Sequence, residues 1–458
     1  MTISLSFDPS FDFDDHQLVE VRIERILPGG SGLAHADGRT LLVALAAPGD
    51  RLRVKIDRTK GNVDFASIEE IIEPSPLRVE PPCPYFGRCG GCDFQQLNYQ
   101  AQLDAKVEIV RDCLRRIGGI ESPPDFQVTP APNQWHYRSR AQWQYDSIRK
   151  RLGYFEAGSR RVCDVADCAV LAPELQQTLS SLRERMRDGL LPEDARDFRA
   201  LVGDEGVWVA PPVRVDSATV KPDTIDRGLS PTVGAGSHSH ARDVTRTIHG
   251  ETYRLNAESF FQTNADLLPQ LIDAVLSDAG GEAAIELYCG VGLFTLPLAR
   301  RFTTLIGVES NESAAAFARE NLANAGLANA KIVNEDVANW LENLECAGRD
   351  GALDRRPKTR QLTDRRQSHE IQSDVVAAAL ERIDFLLLDP PRTGAESRVI
   401  NGILKIRPKR ICYVSCDPAT LARDLKKLIA GGYTLDSLTA FDMFPQTHHV
   451  ETVVHLTA

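Results

Sequence analysis

The chain has 458 residues, 42% hydrophobic and 26% charged, which is the composition of soluble globular protein rather than of a collagen-like or disordered one. Its length predicts two or three domains, each with its own core. No run approaches the roughly 20 apolar residues of a membrane span. The N-terminus MTISLSFDPSFDFDD lacks the basic and apolar regions of a signal peptide, so a cytoplasmic protein is expected. A net charge of -11 argues against a purely electrostatic nucleic-acid binder, while leaving room for local basic faces. Ten cysteines are too sparse for a disulfide scaffold, and where they cluster they read as metal or catalytic sites.

Taken in chain order, residues 17 to 72 predict short strands (LVEVRI, TLLVAL, RLRVKI, VDFASI). They are punctuated by Pro28-Gly29-Gly30, Asp37-Gly38, Pro48-Gly49 and Lys60-Gly61, as in a small barrel. Between His16 and Asn62 there are eight Arg/Lys against five Asp/Glu, a local excess of basic charge. Pro74, Pro76, Pro81 and Pro82 then suggest a boundary. Leu103, Val107, Val110 and Leu114 predict a helix over about 95 to 117. Residues 134 to 161 look strand-rich, with seven Arg/Lys interleaved with Trp135, His136, Tyr137, Trp143 and Tyr145. That mixture suits stacking on bases with charge on phosphates; the plainer alternative is a half-buried strand with solvated arginines. From Gly281 onward strands and helices alternate, predicting a mostly parallel sheet. Polar stretches at roughly 211 to 245 and 347 to 370 read as a loop and a flexible insertion. No internal repeat is present.

Four motifs carry chemistry. AAIELYCGVGLFTLPLA (283 to 299) is a strand, a Gly290-Val291-Gly292 turn and a helix, with Glu309 nineteen residues after Gly290 where an acid can bind ribose hydroxyls. The third glycine of a dinucleotide fingerprint is missing, so S-adenosylmethionine suits the turn better than NAD. IDFLLLDPPR (383 to 392) is a buried strand leaving the sheet abruptly at Asp389. RICYVSCDPATLARDL (410 to 425) ends a strand at Cys416, with Asp417 as helix N-cap and Pro418 at the first helical position. A thiol there is expected to have its pKa lowered. Such a cysteine beside a methyl donor has a use: thiolate addition at carbon 6 of uracil makes carbon 5 nucleophilic, and a base must afterwards remove the carbon 5 proton. His448, His449 and Glu451 in DMFPQTHHVETVVHL are all candidates for that base. Lastly, CPYFGRCGGC sets Cys83, Cys89 and Cys92 as C-x5-C-x2-C, with Cys163 or Cys168 available as a fourth ligand for zinc or an iron–sulfur cluster.

Together these motifs resemble the RNA uracil-5-methyltransferase family, in its iron–sulfur branch, over nearly the whole chain. SPLRVEPPCPYFGRCGGCDFQQLNYQAQLDAK, YCGVGLFTLPLA, DPPR, SCDPATLARD and HHVE follow in family order. The resemblance implies an α/β protein of three parts. These are an N-terminal TRAM (OB-like) RNA-binding β-barrel over 1–75, a central α+β iron–sulfur domain over 76–255, and a Rossmann-like class I methyltransferase domain over 256–458. The helix at about 95–118 would pack on the catalytic domain. A [4Fe–4S] cluster on Cys83, Cys89, Cys92 and Cys168 is implied, with Cys163 a bystander. So are Cys416 as nucleophile, Glu451 as base, and Gln262, Tyr288, Glu309, Asp336 and Asp389 as contacts for S-adenosylmethionine. Leu293 departs from the family's frequent polar residue five after Tyr288, leaving any contact there to the backbone. Asp417 stands where many members have Asn. The expected substrate is RNA, 23S rRNA before the tRNA T-loop, with no membrane and no obligate protein partner. The rival readings are a cytosine-5 RNA methyltransferase and a non-catalytic RNA-binding iron–sulfur protein.

Overall fold

The computed structural model describes residues 18–213, 243–349 and 383–458. The predicted insertion lies outside the described residues from 350 onward, while 347–349 finish a helix. Of the predicted loop at 211–245, residues 214–242 lie outside, and its end is already strand.

Six strands form the first sheet: β1 (Leu18–Arg22), β2 (Arg25–Ile26), β3 (Gly32–Ala36), β4 (Arg39–Val43), β5 (Arg51–Lys60) and β6 (Val63–Glu73), in the order β1-β5-β6-β4-β3-β2. Alternation sorts the faces. Leu52 and Val54 join Val21, Ile23, Leu41 and Val43 in a small core. On the outside, Arg51 and Arg53 pair with Glu20 and with Glu73 and Glu70 respectively. Asp37 and Gly38 both have positive φ (51° and 74°), as a two-residue hairpin turn requires. The short β2 and β3 were not evident from the sequence. Ile23 N–H donates to Asp50 O (2.9 Å) and Glu24 N–H to Leu33 O (2.8 Å), so the chain leaving β1 draws the two ends of the sheet together.

The proline-rich segment leads to α1 (Tyr99–Cys113), whose N-cap Asn98 accepts from Ala101 N–H at 2.9 Å. A π-turn over Leu114–Gly118 ends it. After β7 (Val128–Thr129) comes an antiparallel sheet of β8 (Arg140–Asp146), β9 (Arg151–Phe155), β10 (Val162–Asp164), β11 (Asp197–Gly203) and β12 (Gly206–Ala210), ordered β10-β9-β8-β11-β12. It is backed by α2 (Pro173–Arg187), whose Leu175, Leu179, Leu182 and Met186 pack against Trp143, Leu152 and Phe198. Trp143 and Tyr137 are buried, so the plainer reading holds for them: they are core, not stacking platforms. A hairpin, β13 (Asp243–Ile248) and β14 (Glu251–Asn256), precedes the last region.

That region comprises α3 (Leu268–Leu276), β15 (Gly281–Leu287), α4 (Thr295–Ala299), β16 (Phe302–Glu309), α5 (Glu312–Asn324), β17 (Ala330–Asn334), α6 (Val337–Arg349), β18 (Phe385–Leu388), α7 (Ser397–Ile406), β19 (Arg410–Ser415), α8 (Pro418–Ala430), β20 (Thr434–Phe441) and β21 (Glu451–Thr457). The sheet runs β17-β16-β15-β18-β19-β21-β20-β7. From β17 to β19 it is parallel, as the alternation predicts, and its apolar strands are covered on both faces. The chain winds outward in one direction from β15 and in the other from β18. The crevice beyond their carboxyl ends is therefore a topological switch point, where open α/β sheets bind ligands. Only β21 breaks the pattern, inserting antiparallel between β19 and β20.

Candidate active site

Beyond β15 and β18 lies a cleft of about 980 Å³, at the upper end of the size typical of small-molecule sites. Cys416, Glu451, Gln262, Tyr288, Glu309, Asp336 and Asp389 all line it.

Each is carried there by its element. Tyr288 follows β15 with φ 64°, a left-handed conformation unusual for a side chain that large, and Gly290 and Gly292 continue the turn at φ 56° and 96°. At the end of β16, Glu309 accepts Gly290 N–H (3.0 Å) and Asn311 N–H (2.7 Å), tying the two loops on either side of the pocket. Asp336 accepts Asn339 N–H at 3.0 Å, so it also caps α6. Leu293 lines the cleft with its carbonyl already accepting the Tyr253 hydroxyl at 3.0 Å. Asp389 leaves β18 half-buried on the cleft wall, and desolvation there raises its carboxyl to about 7.

Cys416 and Glu451 meet because of the antiparallel strand. The register pairs Ser415 with Thr452, so the end of β19 lies beside the start of β21, and Thr452 Oγ1 donates to Ser415 O at 2.9 Å. Glu451 is 1% exposed. Burial first and the Asp389 charge second raise its carboxyl, with Arg392 opposing. Asp417 caps α8, accepting Ala419 N–H and Thr420 N–H at 2.9 Å each, and Pro418 takes the first helical position.

The expected lowering of the Cys416 pKa is corrected. Burial, with the nearby Glu451 and Asp389, pushes the thiol up to about 12, and neither the helix start nor Arg392 overcomes this. Of the three candidate bases, only Glu451 lines the cleft. His448 faces Asp93 instead, and His449 is held neutral down to about 3, chiefly by burial.

Sequence reading passed over two cleft residues. Arg392 ends the Asp389 motif, and its charge acts on both Glu451 and Cys416. Phe260 is 66% exposed at the rim, with the Arg140 guanidinium 5.9 Å from its ring centre, whereas its neighbour Phe261 is core. The FFQTN pair could have signalled that one aromatic was left over.

A second pocket is lined by Cys83, Cys89, Cys92 and Cys168 together with Arg138 and Tyr154, which also line the large cleft. Cys163 is not among its lining residues; its thiol sulfur accepts from Arg88 Nε at 3.3 Å. Burial raises the thiols of Cys89 and Cys92, to about 11 and about 12. Arg138 Nε and Tyr154 Oη are buried without a hydrogen-bond partner among the described residues. Also among those residues, no three His, Cys, Asp or Glu side chains converge closely enough to hold a metal ion.

Comparison with known proteins bears on this geometry. A model of the family described as tRNA (Uracil-5-)-methyltransferase matches residues 245–458. The chain is 31% identical to the 23S rRNA (uracil(1939)-C(5))-methyltransferase RlmD of Alkalilimnicola ehrlichii, over 95% of each chain. It is 30% identical to an uncharacterized RNA methyltransferase of Gloeobacter violaceus, over 96% of each. In fold it is similar to the Pyrococcus abyssi tRNA (uracil-54, C5)-methyltransferase in complex with S-adenosyl-L-homocysteine. The TM-score is 0.65 at 24% identity, covering 96% of this chain and all of that one.

Proposed function

The chain belongs to the RNA uracil-5-methyltransferase family, whose members use S-adenosylmethionine, and we propose that it methylates carbon 5 of a uracil in 23S rRNA. The observation that carries this reading is the pairing of β19 with β21, which brings Cys416 and Glu451 together on the wall of the cleft that Tyr288, Glu309 and Asp389 also line.

In this mechanism the Cys416 thiol and the Glu451 carboxyl, both raised by burial, first give their protons to solvent water, and the Cys416 sulfur adds to uracil carbon 6. The carbon 5–carbon 6 π electrons move onto the carbonyl oxygen at carbon 4 as an enolate. S-adenosylmethionine supplies the methyl group, which carbon 5 takes as the methyl–sulfur bond breaks. Glu451, as carboxylate, then removes the carbon 5 proton; the ring double bond re-forms and the carbon 6–sulfur bond breaks, freeing Cys416. Gln262, Tyr288, Glu309, Asp336 and Asp389 would hold the methyl donor.

The remaining proposals concern the rest of the chain. The N-terminal sheet acts as a TRAM-type RNA-binding barrel over 1–75, ahead of a central domain over 76–255 and the catalytic domain over 256–458. Cys83, Cys89, Cys92 and Cys168 hold a [4Fe–4S] cluster. The four residues line one pocket together with Arg138 and Tyr154. The unpartnered Arg138 Nε and Tyr154 Oη would find acceptors on such an anionic group. Methyl transfer moves no net electrons, so the cluster would supply a staple, not redox chemistry.

The test is the 5-methyluridine content of separately purified 23S rRNA and tRNA from cells with and without this gene. Loss from 23S rRNA is expected. Loss from tRNA alone would move the substrate, a second reading favoured by the tRNA-modifying fold neighbour. With purified protein, Cys416→Ala should form no covalent RNA adduct, while Glu451→Gln should accumulate one. Wild-type turnover in the glutamine variant would remove Glu451 from its role.

A further inference from the structure

The loop that carries Glu451 is held mainly from outside its own domain. Gln446 sits in the left-handed region (φ 69°), a strained conformation for a residue with a side chain. It is kept there by Gln102 of α1: Gln446 N–H donates to Gln102 Oε1 and Gln102 Nε2 donates to Gln446 Oε1, both at 3.0 Å. Lys106 of α1 pairs with Asp442 and donates to Phe444 O at 3.1 Å; Tyr137 Oη donates to Pro445 O at 3.0 Å.

The last grip is made by the residue directly after Cys92. Asp93 N–H and Phe94 N–H both donate to Gln446 O (3.1 and 3.0 Å). In return, Asp93 Oδ1 accepts His448 N–H at 2.9 Å, and Asp93 Oδ2 lies 2.5 Å from His448 Nδ1. Gly30 of the first sheet closes over this pair: a Cβ there would stand 3.1 Å from His448 Nδ1 and 3.2 Å from Asp93 Oδ2. The His448 ring in turn lies 4.2 Å, centre to centre, from that of His449, which packs on Phe444 at the cleft wall. Two residues further on is Glu451.

We propose that Asp93 is a positioning residue for the proton-removal step, clamping His448 so that the cysteine-bearing loop sets the position of Glu451. The cysteine loop thus contributes to catalysis mechanically, through its first residue beyond Cys92. A bidentate carboxylate on a backbone N–H and a ring nitrogen is the kind of contact that fixes a loop in one geometry. The inference rests on the mechanism proposed above.

The experiment uses full-length Asp93→Ala, Asp93→Asn, His448→Ala and Glu451→Gln, with a mixture of unmodified 23S rRNA and tRNA transcripts. It is repeated with transcripts made with 5-fluorouridine, whose carbon 5 carries fluorine where a proton would have to leave. Asp93→Ala and His448→Ala should trap the 5-fluorouridine RNA at the wild-type rate, because addition and methyl transfer precede the clamped step. On ordinary RNA they should accumulate covalent adduct at least tenfold over wild type, with a matching fall in kcat. RNA affinity should stay within twofold. Asparagine keeps an acceptor for His448 N–H and should restore most turnover. If Glu451→Gln accumulates adduct but Asp93→Ala and His448→Ala do not, the positioning role is overturned. Slowed trapping of both RNAs would also overturn it, since a merely structural residue would behave so. Failure of Glu451→Gln itself to accumulate adduct would instead strike the underlying mechanism. If Asp93→Ala does not fold, His448→Ala carries the same comparison from the other side.

Discussion

Replacing Glu286 by glutamine should change how stability depends on pH. Glu286 lies in β15, two residues before the Tyr288 turn, and is fully buried with the Thr295 hydroxyl donating to it at 2.6 Å. Burial is the main cause that pushes its carboxyl from an ordinary 4.5 up to about 8; the charges of Asp389 and Glu309 add to this and Thr295 opposes it. The folded chain therefore keeps a proton that the unfolded chain releases. Where the unfolded state binds fewer protons, stability falls as pH rises, here across the window from about 4.5 to 8. At about 1.4 kcal/mol per pH unit, this one group removes about 2 kcal/mol between pH 6 and pH 8. Glutamine keeps the shape and the acceptor for Thr295 but has no proton to lose. Urea unfolding of both proteins at half-unit steps should show glutamine gaining on wild type by that amount, with the difference flattening above pH 8. A gap that stays constant over the window would mean that Glu286 ionises as a solvated acid, and the argument from burial would be wrong.

Two further perturbations probe the other buried charges and the cysteine pocket. Lys106→Met should cost roughly 3–5 kcal/mol in urea unfolding, because Asp442 would lose its buried counter-charge and keep, among the described residues, only the Tyr99 hydroxyl (2.8 Å) as a side-chain partner. Adding Asp442→Asn should recover most of that loss, and a single variant within 1 kcal/mol of wild type would show that water reaches the pair. Cys92→Ser and Cys168→Ser should each abolish bound iron and the associated visible absorption, while Cys163→Ser, outside the pocket, should retain both. Iron lost equally from all three would dissolve the distinction between Cys163 and Cys168.

Much was readable from the sequence because local patterns carry it. Alternating apolar residues marked β1, β4, β5 and β6, and the alternation of strands and helices from Gly281 onward predicted the mostly parallel sheet that holds β15, β18 and β19. Asp417-Pro418 marked the start of α8, since an N-cap acceptor followed by proline suits no other position so well. The chemistry of the residues alone left His448, His449 and Glu451 open as bases, and only the family resemblance pointed to Glu451. Their order along the chain says nothing about which one an antiparallel register turns toward Cys416; that took β21 inserting between β19 and β20. The acidity of Cys416 was misjudged for a related reason. A helix start is a local feature, whereas the burial and the carboxyls of Glu451 and Asp389 that outweigh it arrive from other strands. The grip of Asp93 on His448 joins positions 355 residues apart, and such contacts exist only once the chain has folded. Periodicity and capping are set within a few residues by backbone geometry. Which charges share a dielectric, and which loop braces which, is decided by packing between elements that the sequence does not order in space.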